Sequence, residues 1–206
     1  HGAGSRLEGK QASVEPEKLE NTAEILARPG QPWKLVALFG PQHGLLGHTQ
    51  DNMIEWDAKD HGKHAPSASC STTPERDVHG PTPIKIHSLY GKVRKPTKEM
   101  LQGIDALVVD LQDVGSRYYT FVWTMVLAME AAAEVGGISI LVIDRPNPLG
   151  GEIVEGPILE HGFESFVGWH AGIPIRHGLT IGEIAVMAKA ERPNLANLEI
   201  HVLKME

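Results

Sequence analysis

The amino-acid sequence predicts an α/β fold with a mainly parallel sheet. Three short apolar runs rich in Val, Ile and Leu, at 34–39, 106–109 and 138–143, each end in polar or charged residues. Short runs of this composition that are followed by Gly or Pro are typical of buried parallel strands. The segment Thr120–Glu134, which separates the second run from the third, is apolar on most sides and predicts a buried helix. The two runs and this helix therefore predict a βαβ unit.

The N-terminal half also contains segments of weak apolar pattern. Residues 1–15 are polar and aperiodic, which predicts a flexible lead-in, and apolar spacing predicts a helix over Pro16–Ala27. Residues 57–83 are dense in Asp, His, Lys, Ser, Thr and Pro, which predicts a long surface loop. The His and Cys residues of this loop match no familiar zinc spacing, so we predict no metal site there.

The remaining elements follow in order. A short strand is expected over Ile84–His87, and a short helix over Pro96–Gln102 that a following glycine ends. Thr180–Glu183 has the pattern of a capping box, which predicts a helix to about Lys189. The apolar residues of Leu198–Leu203 predict the last strand.

Composition limits the class of protein. With 206 residues and 41% hydrophobic content, the chain is long enough for one well-buried domain, which we place at 16–206. The net charge of -7 argues against a general nucleic-acid binder, which carries a basic face. The longest mostly apolar stretch, Tyr118–Met129, is too short to span a membrane. Cys70 is the only cysteine, which excludes an intrachain disulfide, and the oligomeric state is not fixed by these features.

The ends of the three apolar runs carry the residues that suggest chemistry. In an open α/β sheet the carboxyl ends of the strands form the crevice in which ligands bind. The sequence therefore predicts one shared edge with His43, Asp110, Asp113, Asp144 and Arg145. A histidine in such a loop can act as an acid, a base or a hydrogen-bond donor.

These acids suit the hydrolysis of a glycosidic bond, which needs carboxyl groups on either side of the bond. Glu155 lies between Val and Gly-Pro, where a rigid and a permissive neighbour hold the backbone in a set turn. The alternative is that Glu155 is a surface acid. Asp110, Asp113 and Asp144 could instead hold Mg²⁺, although the adjacent arginines oppose a bound cation.

Three arginines suggest an anionic substrate. Arg117, Arg145 and Arg176 lie in loops, and a guanidinium matches a carboxylate with two parallel hydrogen bonds. The alternative is that they pair with local acids, Arg145 with Asp144 and Arg117 with Asp113. Aromatic residues in the same region offer flat faces for a sugar ring, although aromatics at these spacings more often fill a core.

An ordered series of motifs lies over about Asn21–Glu206: Leu35–Gly44, Ser88–Gly91, Arg94–Thr97, Gly103–Asp105, Asp110–Thr120, Asp144–Pro148, Val154–Pro157 and Pro174–Gly178. Taken together, these motifs resemble the exo-β-N-acetylmuramidases. This resemblance implies a three-layer, Rossmann-like N-terminal domain, a smaller C-terminal domain and an active site in the cleft between them. It also implies release of N-acetylmuramic acid from the non-reducing end of peptidoglycan fragments, without a cofactor. The lactyl group of that sugar is a carboxylate, which fits the arginines.

The chain departs from the family pattern at the first motif. Members commonly have Glu before His-Gly, where this chain has Gln42, and an amide cannot donate a proton as a carboxylic acid does. Asp51 and Glu55 are candidates to replace it. The family's usual first strand is not recognisable, and we expect the chain to lack the family's C-terminal domain, which is one wall of the cleft.

The resemblance and the residue types together give a set of candidate site residues. We predict Glu155 as the catalytic carboxyl, with Gln42 and His43 positioning or polarising the scissile region. The arginines are predicted to hold the substrate anion, and the others to contact the sugar or orient the arginines. The substrate-binding set is Asp110, Asp113, Arg117, Tyr118, Asp144, Arg145, Asn147, Arg176 and His177.

Two other functions stay open at this point. Gln42 and the absent domain favour a muropeptide-binding protein without catalysis. The aspartates favour a metal-dependent hydrolase. The implied substrate favours a periplasmic or secreted location.

Overall fold

The computed structural model describes residues 21–44, 84–90, 93–169 and 172–205. The predicted lead-in at 1–15, the start of the first predicted helix and the predicted loop at 57–83 lie outside these residues, as do Asp51 and Glu55. The chain divides into two units, His1–Leu35 and Val36–Glu206.

The described part of the first unit, from residue 21 onward, forms one short helix, α1, Thr22–Leu26. Asn21 caps it, because its side-chain oxygen accepts a hydrogen bond from the backbone N–H of Ala23 at 2.8 Å. The Trp33 indole N–H donates to the Leu26 carbonyl at 3.3 Å and so satisfies one of the open carbonyls at the helix end. The helix predicted to end at Ala27 therefore ends one residue earlier.

Within the described residues, the second unit contains five parallel strands in two sheets. One sheet pairs β1 with β2, and the other has the order β3, β4, β5. The strands are β1 Ala37–Gly40, β2 Lys85–Ser88, β3 Ala106–Val109, β4 Ser139–Ile143 and β5 Ile200–Leu203. The predicted parallel α/β fold and the predicted strand positions are confirmed.

One part of the sheet prediction is wrong. The ends of β1, β3 and β4 were expected at one shared edge, but within the described residues β1 pairs with β2 alone. Only the ends of β3 and β4 are neighbours in one sheet. Strand composition predicts burial and direction, and it contains no information on which strand lies beside which.

The helices of this unit cover the three-stranded sheet. The helix α2, Phe121–Val135, connects β3 to β4 as the predicted βαβ unit and is buried along most of its length. The helix α3, Ile181–Glu191, and a short 3₁₀ turn at Pro193–Leu195 precede β5. Trp123, Met129 and Ile140 are fully buried, which places the centre of the core between α2 and β4. Within the described residues, no helix is long and apolar enough to cross a membrane.

The helix predicted at Pro96–Gln102 does not form. Residues 98–103 are turns, with one helix-like bond from the Leu101 N–H to the Thr97 carbonyl at 3.2 Å. Gly103 then takes a left-handed conformation with φ 77°. A segment confined between a proline and this glycine is too short to repay the cost of starting a helix. Leu101 instead anchors the turn in the core.

Candidate functional site

Loops that follow β3 and β4, and the loop that precedes α3, carry most of the predicted site residues. Asp110, just after β3, pairs with Arg145, after β4. Asp110 Oδ1 accepts from Arg145 Nε at 2.7 Å and from Nη2 at 2.5 Å. The two groups lie together because β3 and β4 are neighbours. The predicted alternative partner, Asp144, accepts a hydrogen bond from the Arg145 backbone N–H and none from the Arg145 side chain within the described residues. The Arg145 side chain is 41% exposed.

Asp144 holds the start of α3. Its Oδ2 accepts from the Thr180 hydroxyl at 3.0 Å, and its Oδ1 accepts from the Gly182 N–H at 2.9 Å. The Thr180 hydroxyl oxygen also accepts from the Glu183 N–H, and the Glu183 carboxylate accepts from the Thr180 N–H. These two bonds complete the predicted capping box. A carboxylate at a helix N-terminus is also favoured by the helix dipole. Asp144 therefore joins the end of β4 to the start of α3.

Asp113 and His177 form a buried pair. They are 3% and 4% exposed, and His177 Nε2 lies 3.2 Å from Asp113 Oδ2. That oxygen also accepts from the Gly115 N–H at 2.8 Å. His177 Nδ1 in turn accepts from the Leu179 N–H at 3.2 Å. The loop after β3 is thus joined to the loop before α3.

Asn147 joins the loop after β4 to the same place. Its Nδ2 donates to the Leu179 carbonyl at 2.9 Å, and its Oδ1 accepts from the Leu149 N–H at 2.9 Å. Gly115 lies against this side chain, so close that a Cβ on Gly115 would come within 2.3 Å of Asn147 Oδ1. The three loops therefore meet at the backbone of Leu179. Its N–H donates to His177, and its carbonyl accepts from Asn147.

Glu155 and Arg176 face each other across a narrow antiparallel ribbon. Their backbones exchange two hydrogen bonds, and Arg176 Nη1 donates to Glu155 Oε2 at 2.8 Å. On its other side Arg176 is bridged to Ser116. Directly opposed residues of antiparallel strands project to the same face, so Ser116, Arg176 and Glu155 share one face. The Glu155 side chain is 63% exposed.

Arg117 is used within the protein. It is 6% exposed, and its Nη1 donates to the carbonyls of Pro157 and Ile173 at 3.0 and 2.7 Å. The predicted alternative partner, Asp113, pairs with His177 instead. Tyr118 is 52% exposed, and the Arg117 guanidinium lies 5.4 Å from its ring centre. This geometry favours a structural role for Arg117 and leaves Tyr118 accessible.

Gln42 and His43 follow β1 and contact the segment before α2. Gln42 Oε1 accepts from the Thr120 hydroxyl at 2.8 Å. The His43 ring lies 6.3 Å from the ring of Tyr119 and 6.4 Å from that of Phe121. His43 has a φ of 72°, a conformation that non-glycine residues keep mainly where the surrounding structure requires it.

A short segment connects the ribbon of Glu155 and Arg176 to the residues that follow β1, Gln42 and His43. Residues 116–120 run from Ser116, beside Arg176, to Thr120, which binds Gln42. Ser116 and Thr120 are the two site residues that the sequence analysis did not single out. Both lie in the Asp110–Thr120 motif, but nothing in the sequence distinguishes them from other hydroxyl residues. Among the described residues, no group of three His, Cys, Asp or Glu side chains could hold a metal ion.

Comparison with known proteins identifies the family. The family model described as Exo-beta-N-acetylmuramidase NamZ, N-terminal, matches residues 58–206. The chain belongs to this family. A NamZ relative, the peptidoglycan beta-N-acetylmuramidase NamZ of Bacillus subtilis (strain 168), is 45% identical over 171 residues, which are 83% of this chain and 36% of that protein. The resemblance seen in the motifs is confirmed.

Two solved structures share the fold. Both are DUF1343 family proteins from Bacteroides fragilis NCTC 9343. One is 40% identical with a TM-score of 0.69 and covers 91% of this chain and 41% of that chain. The other is 36% identical with a TM-score of 0.58 and covers 83% and 39%. The chain thus spans about two fifths of the length of the relatives that it matches.

Proposed function

We propose that this chain forms the N-terminal part of an exo-acting glycoside hydrolase that releases N-acetylmuramic acid from the non-reducing end of peptidoglycan fragments. The observation that carries the proposal is the match to the NamZ family, with 45% identity to a peptidoglycan beta-N-acetylmuramidase. The substrate is then a muramyl saccharide, and the reaction requires no cofactor.

The ion pair of Glu155 and Arg176 supports a catalytic role for Glu155. A carboxyl group that acts on a glycosidic bond must be reached by the sugar, and Glu155 is largely exposed. Oε2 is bound by Arg176, while Oε1 makes no hydrogen bond within the described residues. The paired oxygen fixes the orientation of the carboxylate, and the other oxygen can face the sugar.

Arg145 is the arginine best suited to the lactyl carboxylate. Arg117 is buried against carbonyls, and Arg176 is engaged by Glu155 and the Leu149 carbonyl. Within the described residues, the Arg145 guanidinium binds only one oxygen of Asp110, through Nε and Nη2, and its side chain is partly exposed. Its Nη1 can therefore donate to a second carboxylate. Asp110 orients Arg145 in this role.

The remaining candidates act by positioning. Asp144 holds the start of α3, and Asn147, Asp113 and His177 hold the loops that carry Arg145 and Arg176. Gln42, fixed by Thr120, and His43 offer hydrogen bonds near the aromatic side chain of Tyr119. Tyr118 offers an exposed ring to the sugar.

Glu155→Gln tests this assignment. Because an amide cannot exchange a proton with the glycosidic oxygen, we expect kcat to fall about 100-fold or more. The assay is release of free N-acetylmuramic acid from a chromogenic muramyl glycoside. Two proteins are measured: this chain alone, and this chain fused to the part of the Bacillus subtilis relative that it does not match. The matched control is Glu152→Gln, an exposed acid of the same loop, which should leave kcat within a few fold. Turnover by Glu155→Gln within a few fold of the parent would refute the assignment.

A muropeptide-binding protein without catalysis is the second candidate. It is favoured by Gln42, which stands where the family commonly has an acid. Its amide oxygen accepts a hydrogen bond from the Thr120 hydroxyl. Saturable binding of N-acetylmuramic acid by this chain and by the fusion protein, with no sugar released by either, would favour this function. A metal-dependent hydrolase predicts instead that a chelator abolishes turnover.

A further inference from the structure

Among the described residues, one pair of side chains carries two unpaired buried polar atoms. Within the described residues, the buried side-chain atoms without a hydrogen-bond partner are Asp113 Oδ1, Arg176 Nε and His177 Nε2. Protein interiors leave few such atoms unpaired, because each one has lost its hydrogen bonds to water. Two of these atoms belong to the Asp113 and His177 pair, whose side chains are 4% and 0% exposed.

The tautomer of His177 follows from its other contact. The Leu179 N–H donates to Nδ1, so Nδ1 carries a lone pair and the proton of the neutral ring is on Nε2. Nε2 is 3.2 Å from Asp113 Oδ2, but its N–H direction does not suit a hydrogen bond to that oxygen. Oδ2 is already bound by the Gly115 N–H. A donor, Nε2–H, and an acceptor, Asp113 Oδ1, therefore lie on two side chains in contact, and neither has a hydrogen-bond partner in the part of the chain that the structure describes.

We propose that Asp113 and His177 bind one hydroxyl-type oxygen, from a water molecule or from a sugar hydroxyl. Such an oxygen accepts from His177 Nε2–H and donates its own O–H to Asp113 Oδ1, so both atoms are satisfied at once. An anion would be repelled by the carboxylate, and a cation would face the Nε2–H donor. Arg176 does not take part, because successive residues of an extended strand project to opposite faces.

The bound oxygen would complete a connection that matters for the candidate site. Asp113 precedes Ser116 in the loop after β3, and His177 directly follows Arg176. Linking the two side chains therefore fixes the position of the ribbon that carries Arg176 and Glu155. The water source is independent of the proposed glycosidase function, whereas the sugar source rests on it.

The test is nuclear magnetic resonance of the whole chain labelled with ¹⁵N-histidine. His177→Gln identifies the His177 signals, and His201 is an internal control of the same chemistry. His201 Nε2 lies 3.0 Å from Glu199 Oε1, but its side chain is 60% exposed. We expect His177 to be protonated at Nε2, with that proton exchanging at least about tenfold more slowly than that of His201. It should also show a cross-peak to a bound hydroxyl proton.

The outcomes separate the inference from the proposed function. A His177 proton on Nδ1, exchange as fast as that of His201, or no hydroxyl cross-peak with and without sugar would overturn the site. A cross-peak to water that persists when N-acetylmuramic acid is added identifies water as the source. Replacement of it by a cross-peak to the sugar identifies the sugar hydroxyl. If no signal of the chain responds to the sugar, the proposed function loses support while a persistent water cross-peak still supports the site.

Discussion

Gly115 is the residue that allows the loops after β3 and β4 to approach each other. Its φ of 78° is in the left-handed region, which a side chain disfavours. A Cβ at this position would also come within 2.3 Å of Asn147 Oδ1. Two separate physical costs therefore oppose any other residue here, one from the backbone conformation and one from the close approach of Asn147.

Gly115→Ala and Gly103→Ala separate these two costs. Gly103 has a φ of 77°, but a Cβ there would meet nothing within 4 Å. We expect Gly103→Ala to lower the free energy of unfolding by about 1 kcal/mol, from the backbone alone. Gly115→Ala should lower it by about 2 to 3 kcal/mol, because Asn147 must also move. Urea unfolding of both variants measures the difference, and equal losses would show that Asn147 yields without cost.

The residue types of the site could be predicted from the sequence, but their partners could not. Asp110 and Arg145 are 35 positions apart, and they pair because β3 and β4 are neighbours. The alternative pairing of Arg145 with Asp144 rests on sequence proximity alone. Asp144 instead binds Thr180, which comes 36 positions later. Partner choice depends on which strand ends meet, and only the folded chain determines that.

At the scale of secondary structure, α3 shows how a helix start is coupled to the site. Thr180 serves two functions, since its hydroxyl accepts from the Glu183 N–H and donates to Asp144 Oδ2. The capping box was visible in the sequence, because its two residues are three positions apart. The contribution of Asp144 was not, since Asp144 lies at the end of another element.

Thr180→Val tests this double function. Valine keeps the shape of threonine but removes the hydroxyl, so both the cap and the bond to Asp144 are lost. We expect the free energy of unfolding to fall by about 1 to 2 kcal/mol. Glu183→Gln is the matched control, since glutamine also completes a capping box, and its effect should stay within about 0.5 kcal/mol. Thermal or urea unfolding decides, and a loss for Thr180→Val as small as that of the control would contradict the coupling.

The elements themselves were largely predictable. The five strands and the two longer helices follow from apolar runs and from a start signal that lie within a few residues of one another. The error at Pro96–Gln102 has a different origin, because whether a short segment closes into a helix depends on its tertiary contacts. The division into two sheets was equally hidden, since β1 and β3 have the same apolar character and differ only in their partners.

At the scale of the whole molecule, one buried acid connects parts of the chain that are far apart in sequence. Glu130, within α2, is 7% exposed. Its Oε1 accepts from Arg192 Nη1 at 2.5 Å and from the Trp169 indole N–H at 3.1 Å, and its Oε2 lies 3.4 Å from Lys95 Nζ. Arg192 in turn donates to the Trp169 carbonyl. Through Trp169, the long segment between β4 and α3 is thereby joined to the core helix α2.

Glu130→Gln measures the strength of this connection, and Glu134→Gln is its control. Glu134 also binds Lys95, at 2.6 Å, but its side chain is 63% exposed. Glu130→Gln removes the buried carboxylate of the ion pair with Arg192, so we expect it to lower the free energy of unfolding by about 2 to 3 kcal/mol. Exposed ion pairs contribute little, so Glu134→Gln should change it by less than about 0.5 kcal/mol. Urea unfolding monitored by the fluorescence of Trp169 and the other tryptophans measures both. If both variants lowered the free energy of unfolding equally little, the ion pairs of Glu130 would not stabilise the fold. Apolar contacts would then hold the segment between β4 and α3 to α2.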